Sequence, residues 1–273
     1  MRWAVSVVAL AACNDAFGLH AGHRVDAAYF DAGIDARAAC PTDHPPAYSR
    51  DFDQVVVENC SELSIGGRYA AALCANNELR FGELDAMLSP DPAFTATDPG
   101  SALTVPRLSP DGATLVANDP LGTNNLYDVV QFHRNGTSWT RGTPIISSIA
   151  AGAITSEIST DGRILVELGP GHVHEYVRGN DDSWTDAGIR LELAESPTPI
   201  SGVHLMPDAL HAYRTPVGGP TQWFVRDSVD QIFALQGVVD GTTEVEDPVI
   251  ADGCGALYFF TLGRLWVAPR PTS

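Results

Sequence analysis

From about Val55 onward, short apolar runs rich in valine, isoleucine and aromatic residues alternate with clusters of glycine, proline, aspartate and asparagine. That pattern predicts strands joined by tight turns. The stretch "LSPDGATLVAND", Leu108 to Asp119, is its clearest instance. Pro110 presets a turn backbone, Asp111 can bond its own main chain, Gly112 accepts a positive φ, and apolar residues resume at Leu115 and Val116. Related stretches are "SELSIGGRYAAAL" from Ser61, "SEISTDGRILVEL" from Ser156, "VHLMPDALHAYRT" from Val203 and "PVIADGCGALYFF" from Pro248. Aligned on the second turn position, the markers are Gly66, Asp111, Asp161, Asp208 and Asp252, in steps of 45, 50, 47 and 44 residues.

A period in the forties with about four strands per unit predicts a β-propeller, in which each blade packs on its neighbours. The later part of the unit repeats as well. "VVQFHRNGTSWT" ends near Trp139 and "HEYVRGNDDSWT" near Trp184, each reading as a third strand, a turn and a fourth strand. Trp223 falls earlier in its unit, on a third strand, and all three tryptophans are expected to pack between blades. The last unit holds only three strands, "DPVIADG", "ALYFFTL" and "GRLWVAP", so "FDQVVVEN" near the start is expected to supply the fourth and close the ring. The predicted fold is therefore all-β: a single five-bladed propeller of four-stranded antiparallel blades over residues 50–273, with a six-bladed ring as the alternative.

The N-terminal part has a different texture. Residues 1–12 carry one positive charge at Arg2 and an apolar run from Trp3 to Ala12, too short to span a bilayer as a mature helix, and read as an export signal. Residues 13–49 are rich in Ala, Asp, Gly and Pro without sustained periodicity, and read as a flexible acidic tether. Setting Cys13 aside leaves Cys40, Cys60, Cys74 and Cys254, an even number that suits an oxidising compartment. Three pairings are open, one of which joins Cys60 to Cys74 across the Gly66-Gly67 turn and Cys40 to Cys254.

Two resemblances add to this. Leu10-Ala11-Ala12-Cys13 resembles the lipobox of bacterial lipoproteins, which implies lipidation of Cys13 and a membrane anchor. Asn14, rather than aspartate, follows the cysteine, which in that family implies the outer membrane. The "SPDG" and "STDG" turns followed by Leu-Val or Ile-Leu resemble the TolB-like, WD-repeat-like propeller repeat over most of residues 61–271. Gly66-Gly67 departs from that motif, as does Ala209 after Asp208. Members of the family commonly have six blades and an accessory domain, neither of which is found here, so the resemblance implies architecture and no Tol-system role.

Charge narrows the chemistry. The formal net charge is −18, and every Lys-or-Arg position is an arginine. The acidic balance excludes a nucleic-acid partner, and the lack of lysine excludes a P-loop lysine, a Schiff base and a kinase-type Lys–Glu pair. Four residues before each marker stand Glu62, Arg107, Glu157, His204 and Pro248, followed by the apolar Leu63, Leu108, Ile158, Leu205 and Val249. This register places four polar groups on the innermost strands, around the central channel. They form either a ligand site, with Arg107 gripping an anion, or a set of ions that neutralise one another. Glu62 and Glu157 are also the carboxylates a glycoside-cleaving propeller would use, although Asp247 lies one residue out of register for a third. His172 and His174 lack a third metal ligand, and the turn aspartates lack the dense oxygen set of a calcium loop, so no metal and no cofactor is expected. The sequence thus predicts a lipid-anchored envelope protein whose propeller binds a protein or ligand, with carbohydrate binding or glycoside cleavage as the alternative.

Overall fold

The computed structural model describes residues 40–49, 53–58, 60–84, 94–100, 102–122, 125–150, 152–169, 172–194, 200–242, 245, 248–261 and 264–270. Cys13, the signal segment 1–12, residues 13–39 of the tether and Asp247 lie outside them.

Twenty strands form five antiparallel sheets of four. Blade one is β2 (Cys60–Gly66), β3 (Tyr69–Cys74), β4 (Glu78–Glu83) and β5 (Thr95–Thr97); blade two is β6 (Thr104–Leu108), β7 (Thr114–Pro120), β8 (Leu126–Asn135) and β9 (Ser138–Ala150). Blade three is β10 (Ile154–Thr155), β11 (Arg163–Glu167), β12 (Val173–Arg178) and β13 (Trp184–Ile189); blade four is β14 (Ile200–Leu205), β15 (His211–Pro216), β16 (Gln222–Val225) and β17 (Ala234–Val238). Blade five is β18 (Val249–Ile250), β19 (Ala256–Thr261), β20 (Arg264–Pro269) and, from the other end of the chain, β1 (Asp53–Glu58). β1 pairs antiparallel with β20, so "FDQVVVEN" completes the last blade as the repeat arithmetic requires. The ring has five blades, not six.

Five apolar clusters fill the five gaps between blades. Leu108, Leu115 and Phe132 pack on Leu79 and Phe81 between blades one and two, and Ile164 and Tyr176 on Val116 and Val129 between two and three. Phe224 and Val203 meet Leu165 and Val173 between three and four, Trp223 and Tyr213 meet Trp266 and Leu257 between four and five, and Tyr258 and Val249 meet Leu63 and Ile65 between five and one. Burying a large apolar side chain stabilises by roughly 1.5–3 kcal/mol, so no blade is stable without its neighbours. Trp139 packs edge-on against Phe81 with centroids 5.4 Å apart, and the Trp184 indole donates to Gln131 Oε1 at 2.7 Å; both lie on fourth strands, while Trp223 lies on a third.

The marker turns share one backbone. The residue after each marker has positive φ: Gly67 at 59°, Gly112 at 64°, Gly162 at 79°, Ala209 at 58° and Gly253 at 75°. Ala209 therefore keeps the left-handed geometry without the residue suited to it. Asp111 Oδ1 accepts bonds from Ser109 Oγ and the Ala113 amide, and Asp208 Oδ1 accepts from the Leu210 and His211 amides, so these carboxylates hold the turns. Asp252 begins the short 3-10 turn Asp252–Cys254.

Residues 40–49 depart from the tether assigned to them. Cys40 is disulfide-bonded to Cys254, Tyr48 is buried and donates to the Cys254 carbonyl at 3.3 Å, and Ala47 forms a parallel bridge with Asp240. The physical reason lies in Tyr48 and Cys40 themselves, which join the cluster between blades four and five. The second disulfide, Cys60–Cys74, links the paired strands β2 and β3.

Candidate functional site

Of the four polar residues four positions before the markers, Arg107, Glu157 and His204 are brought into contact, and Glu62 binds the main chain beside them. Glu62 lies on β2, Arg107 on β6 and His204 on β14, and Glu157 lies two residues past β10, one residue from each of four successive blades. His204 Nδ1 lies 2.8 Å from Glu157 Oε2, and Arg107 Nε lies 3.9 Å from Glu157 Oε1. Glu62 Oε2 accepts the Val105 amide of blade two. Arg107 reaches both ways, donating from Nη1 to the Leu63 carbonyl of blade one and from Nε to the Thr155 carbonyl of blade three, each at 2.8 Å. Pro248, the fifth position, contributes no polar side chain.

The network extends to residues the register did not single out. Ser64 Oγ donates to Glu157 Oε1 at 3.4 Å and accepts the Leu108 amide at 2.8 Å. The His204 ring stacks on Tyr213 with centroids 4.4 Å apart, and the Tyr213 hydroxyl accepts the Ile250 amide of blade five at 2.9 Å. All five blades are thereby linked around one axis. Ser64 occupies the register of Ser109 and Ser159, two residues before its marker. Those two serines bond to Asp111 and Asp161; glycine at 66 removes that partner, and the Ser64 hydroxyl turns to Glu157 instead. This absence of a turn aspartate was a usable sequence signal. Tyr213 carried none, since its register holds alanine, valine and leucine elsewhere.

Burial sets the electrostatics. Arg107 is 2 % exposed, Glu157 7 % and His204 0 %. Burial pushes the Glu157 carboxyl up, but attraction to His204 and Arg107 and the bond from His204 more than reverse this, holding it below the ordinary carboxylate value. Val105 adds strain beside the cluster: its φ of 52° is the left-handed region, unfavourable for a β-branched residue. A general acid needs a raised pKa and a reacting atom within reach. Glu157 has the opposite shift, and its contacts are with the protein.

A second ionic cluster joins blades three and four. Glu175 on β12 is fully buried and accepts from Arg226 through both terminal nitrogens at 3.0 and 2.8 Å, from Arg163 Nη1 at 3.1 Å and from Arg190 Nε at 2.6 Å. Arg226 is itself buried, donates Nε to the Ala209 carbonyl and lies 4.3 Å over the Phe233 ring. Burial raises the Glu175 pKa, yet the bonds and charges of Arg226 and Arg190 leave it lowered.

His174 Nδ1 pairs with Asp186 at 2.9 Å, while His172 lies just before β12. No group of three or more metal-capable side chains occurs among the described residues.

Fold and site together define a five-bladed β-propeller with a buried polar network between its first strands. No protein-family description and no curated protein matches the chain. Among solved structures, a functionally unknown protein from Desulfotomaculum acetoxidans is similar at 14 % identity, with 75 % of this chain and 63 % of that one covered and a TM-score of 0.49. A candidate 6-phosphogluconolactonase from Bacteroides uniformis is similar at 14 % identity, 72 % and 62 % coverage and a TM-score of 0.44. YCF48 bound to D1 peptide is similar at 12 % identity, 76 % and 62 % coverage and a TM-score of 0.45. The chain thus spans about three fifths of the length of each of these proteins.

Proposed function

We propose that this chain is a lipid-anchored protein of the bacterial cell envelope, held in the outer membrane through Cys13, whose propeller serves as a rigid scaffold for a protein partner. The observation that carries the scaffold reading is the axial cluster. Its carboxylates are committed to the protein, Glu62 to the Val105 amide and Glu157 to His204 and Arg107, which makes the axis a rigid core. Such a ring leaves recognition to loops and outer strands, which can vary while the blades hold. The two disulfides support the compartment, because such bonds persist where the surroundings are oxidising. Glycoside cleavage is disfavoured because both candidate carboxylates are engaged by the protein, Glu62 by the Val105 amide and Glu157 by His204, Arg107 and Ser64.

Two measurements test this reading. Metabolic labelling with an alkyne palmitate should mark the wild-type chain and hold it in the outer-membrane fraction, with Cys13→Ser unlabelled and released; an unlabelled, soluble wild type overturns the anchor. Photo-crosslinking from the loop 227–231 in the native envelope should give one reproducible protein adduct. Its absence from that loop and from the other face loops overturns the scaffold role.

A further inference from the structure

The strongly exposed large apolar residues among the described ones are Ile189, Leu191, Val217, Ile232, Leu235 and Val238, and all but Val217, in the β15–β16 turn, fall on or beside the outer strands of blades three and four. Ile232 is 72 % exposed, Leu191 69 %, Leu235 53 % and Val238 47 %. Monomeric proteins rarely concentrate such residues without a use for them. β17, the outer strand of blade four, reads "ALQGV" and carries neither a charge nor a proline, the usual guards of a free edge. By contrast, the outer strand β13 carries Asp186, and β9 carries Arg141.

The register of β17 concentrates its apolar groups. Leu235 pairs with Phe224 and Val238 with Gln222, with a bulge between. Phe224 and Gln222 are two apart on β16, so the bulge brings Leu235 and Val238 to one face of the sheet. That face looks toward blade three, because Phe224 packs there with Leu165 and Val173. Glu192, beside Leu191, accepts the Phe233 amide and brings the end of blade three next to the start of this strip.

The open edge already accepts one strand-like contact. Ala47 bridges Asp240 in parallel, and the Tyr48 amide donates to the Asp240 carbonyl at 3.2 Å. Among the described residues, Pro45 packs against Gly237, and the main chain of Ala234–Val238 carries no such bridge on its outer side. The described acidic residues flanking β17 are Asp227, Asp230 and Asp240, and residues 227–247 contain no arginine or histidine. An acidic second copy or an anionic lipid surface would be repelled by that field.

We propose that the outer edge of β17 is a docking site for an extended partner segment, apolar in the middle and basic at its ends, which adds as a fifth strand to blade four. Main-chain bonds to the free edge would give affinity, Leu235 and Val238 would take alternate apolar side chains, and Asp227, Asp230 and Asp240 would select the basic flanks. This goes beyond the scaffold reading and does not require the lipid anchor, so a failure of palmitate labelling leaves it standing.

The test uses the purified chain and a fluorescent synthetic peptide, Arg-Arg-Val-Thr-Val-Thr-Val-Arg-Arg, read by anisotropy and by hydrogen exchange of residues 234–238. Saturable binding is expected, at least about ten-fold weaker for a Leu235→Lys/Val238→Lys variant and for the same peptide with glutamates replacing its arginines. Ten-fold corresponds to one charged or apolar contact. The outward-facing amides of β17, those not bonded to β16, should exchange fast in the free chain and slow with the peptide bound. Both substituted side chains are about half exposed, so the variant keeps the fold. Equal binding by variant and wild type overturns the proposal. So does protection of those outward-facing amides in the free monomer, which assigns the edge to the chain's own N-terminal residues, or a dimer that the variant dissolves, which assigns it to a second copy.

Discussion

The axial cluster of Arg107, Glu157 and His204 and the inter-blade cluster of Glu175, Arg163, Arg190 and Arg226 use the same ingredients, a buried carboxylate among cations. They are built differently. The axial groups occupy one repeated register in successive blades, and Glu157 shares its oxygens among His204, Arg107 and Ser64. The Glu175 groups come from unrelated positions, and one carboxylate answers three guanidiniums, of which Arg226 is fully buried. Removing the carboxylate is therefore expected to cost more in the second region, because three guanidiniums share Glu175, whereas Arg107 keeps the Leu63 and Thr155 carbonyls when Glu157 is lost. The lesson is that shared register marks where groups converge, while the number of charges depending on one group sets what its loss does.

Breaking the comparison at Glu175 should have the largest effect. Glu175→Ala leaves Arg226 buried without its counter-ion and should lower unfolding free energy by about 3–5 kcal/mol, measured by urea denaturation. A loss no greater than that of the axial variant would erase the distinction. Glu157→Gln keeps a hydrogen-bond acceptor for His204 and should cost less, about 1–3 kcal/mol. Both wild-type carboxyls are lowered in the folded state, so their contribution is present above the ordinary value of 4.5 and lost as pH falls through the folded values.

Glu167, near the end of β11, sharpens the contrast by having the opposite sign. Burial pushes its carboxyl up to about 7, which the charge of Arg214 only partly opposes. A raised folded pKa favours the protonated native state, so its stabilisation is complete below 4.5 and lost as pH rises through about 7. Glu167→Gln should flatten the fall in melting temperature between pH 5 and about 8, while leaving the acid limb set by Glu157 and Glu175 in place. A variant with the wild-type slope would show that Glu167 is not the group responsible. The smallest effect belongs to the turn: Ala209→Gly relieves the φ of 58° and should raise stability by about 0.5–1 kcal/mol, visible as a small rise in melting temperature.

Much of this was legible in the chain. The turn markers fixed the blade number because each unit must present a turn to the same place in a closed ring, and the missing fourth strand of the last unit had to come from residues near 54. The convergence of Arg107, Glu157 and His204 was legible because register carries position directly. The Glu175 cluster was not, since Arg226 lies beyond β16 and Arg190 beyond β13, where no repeat fixes side-chain direction. Residues 40–49 were misread because composition averages over a segment, while Cys40 and Tyr48 hold it at two points.

The ionisation of Glu157 tests the central claim most directly, because a carboxyl engaged by His204 and Arg107 is held down, whereas one serving as a general acid is raised. Carbon-detected NMR titration of its side-chain carboxyl, assigned with Glu157→Gln, should give a pKa below the ordinary 4.5. A value raised toward 6 or 7, as a general acid requires, would contradict the account.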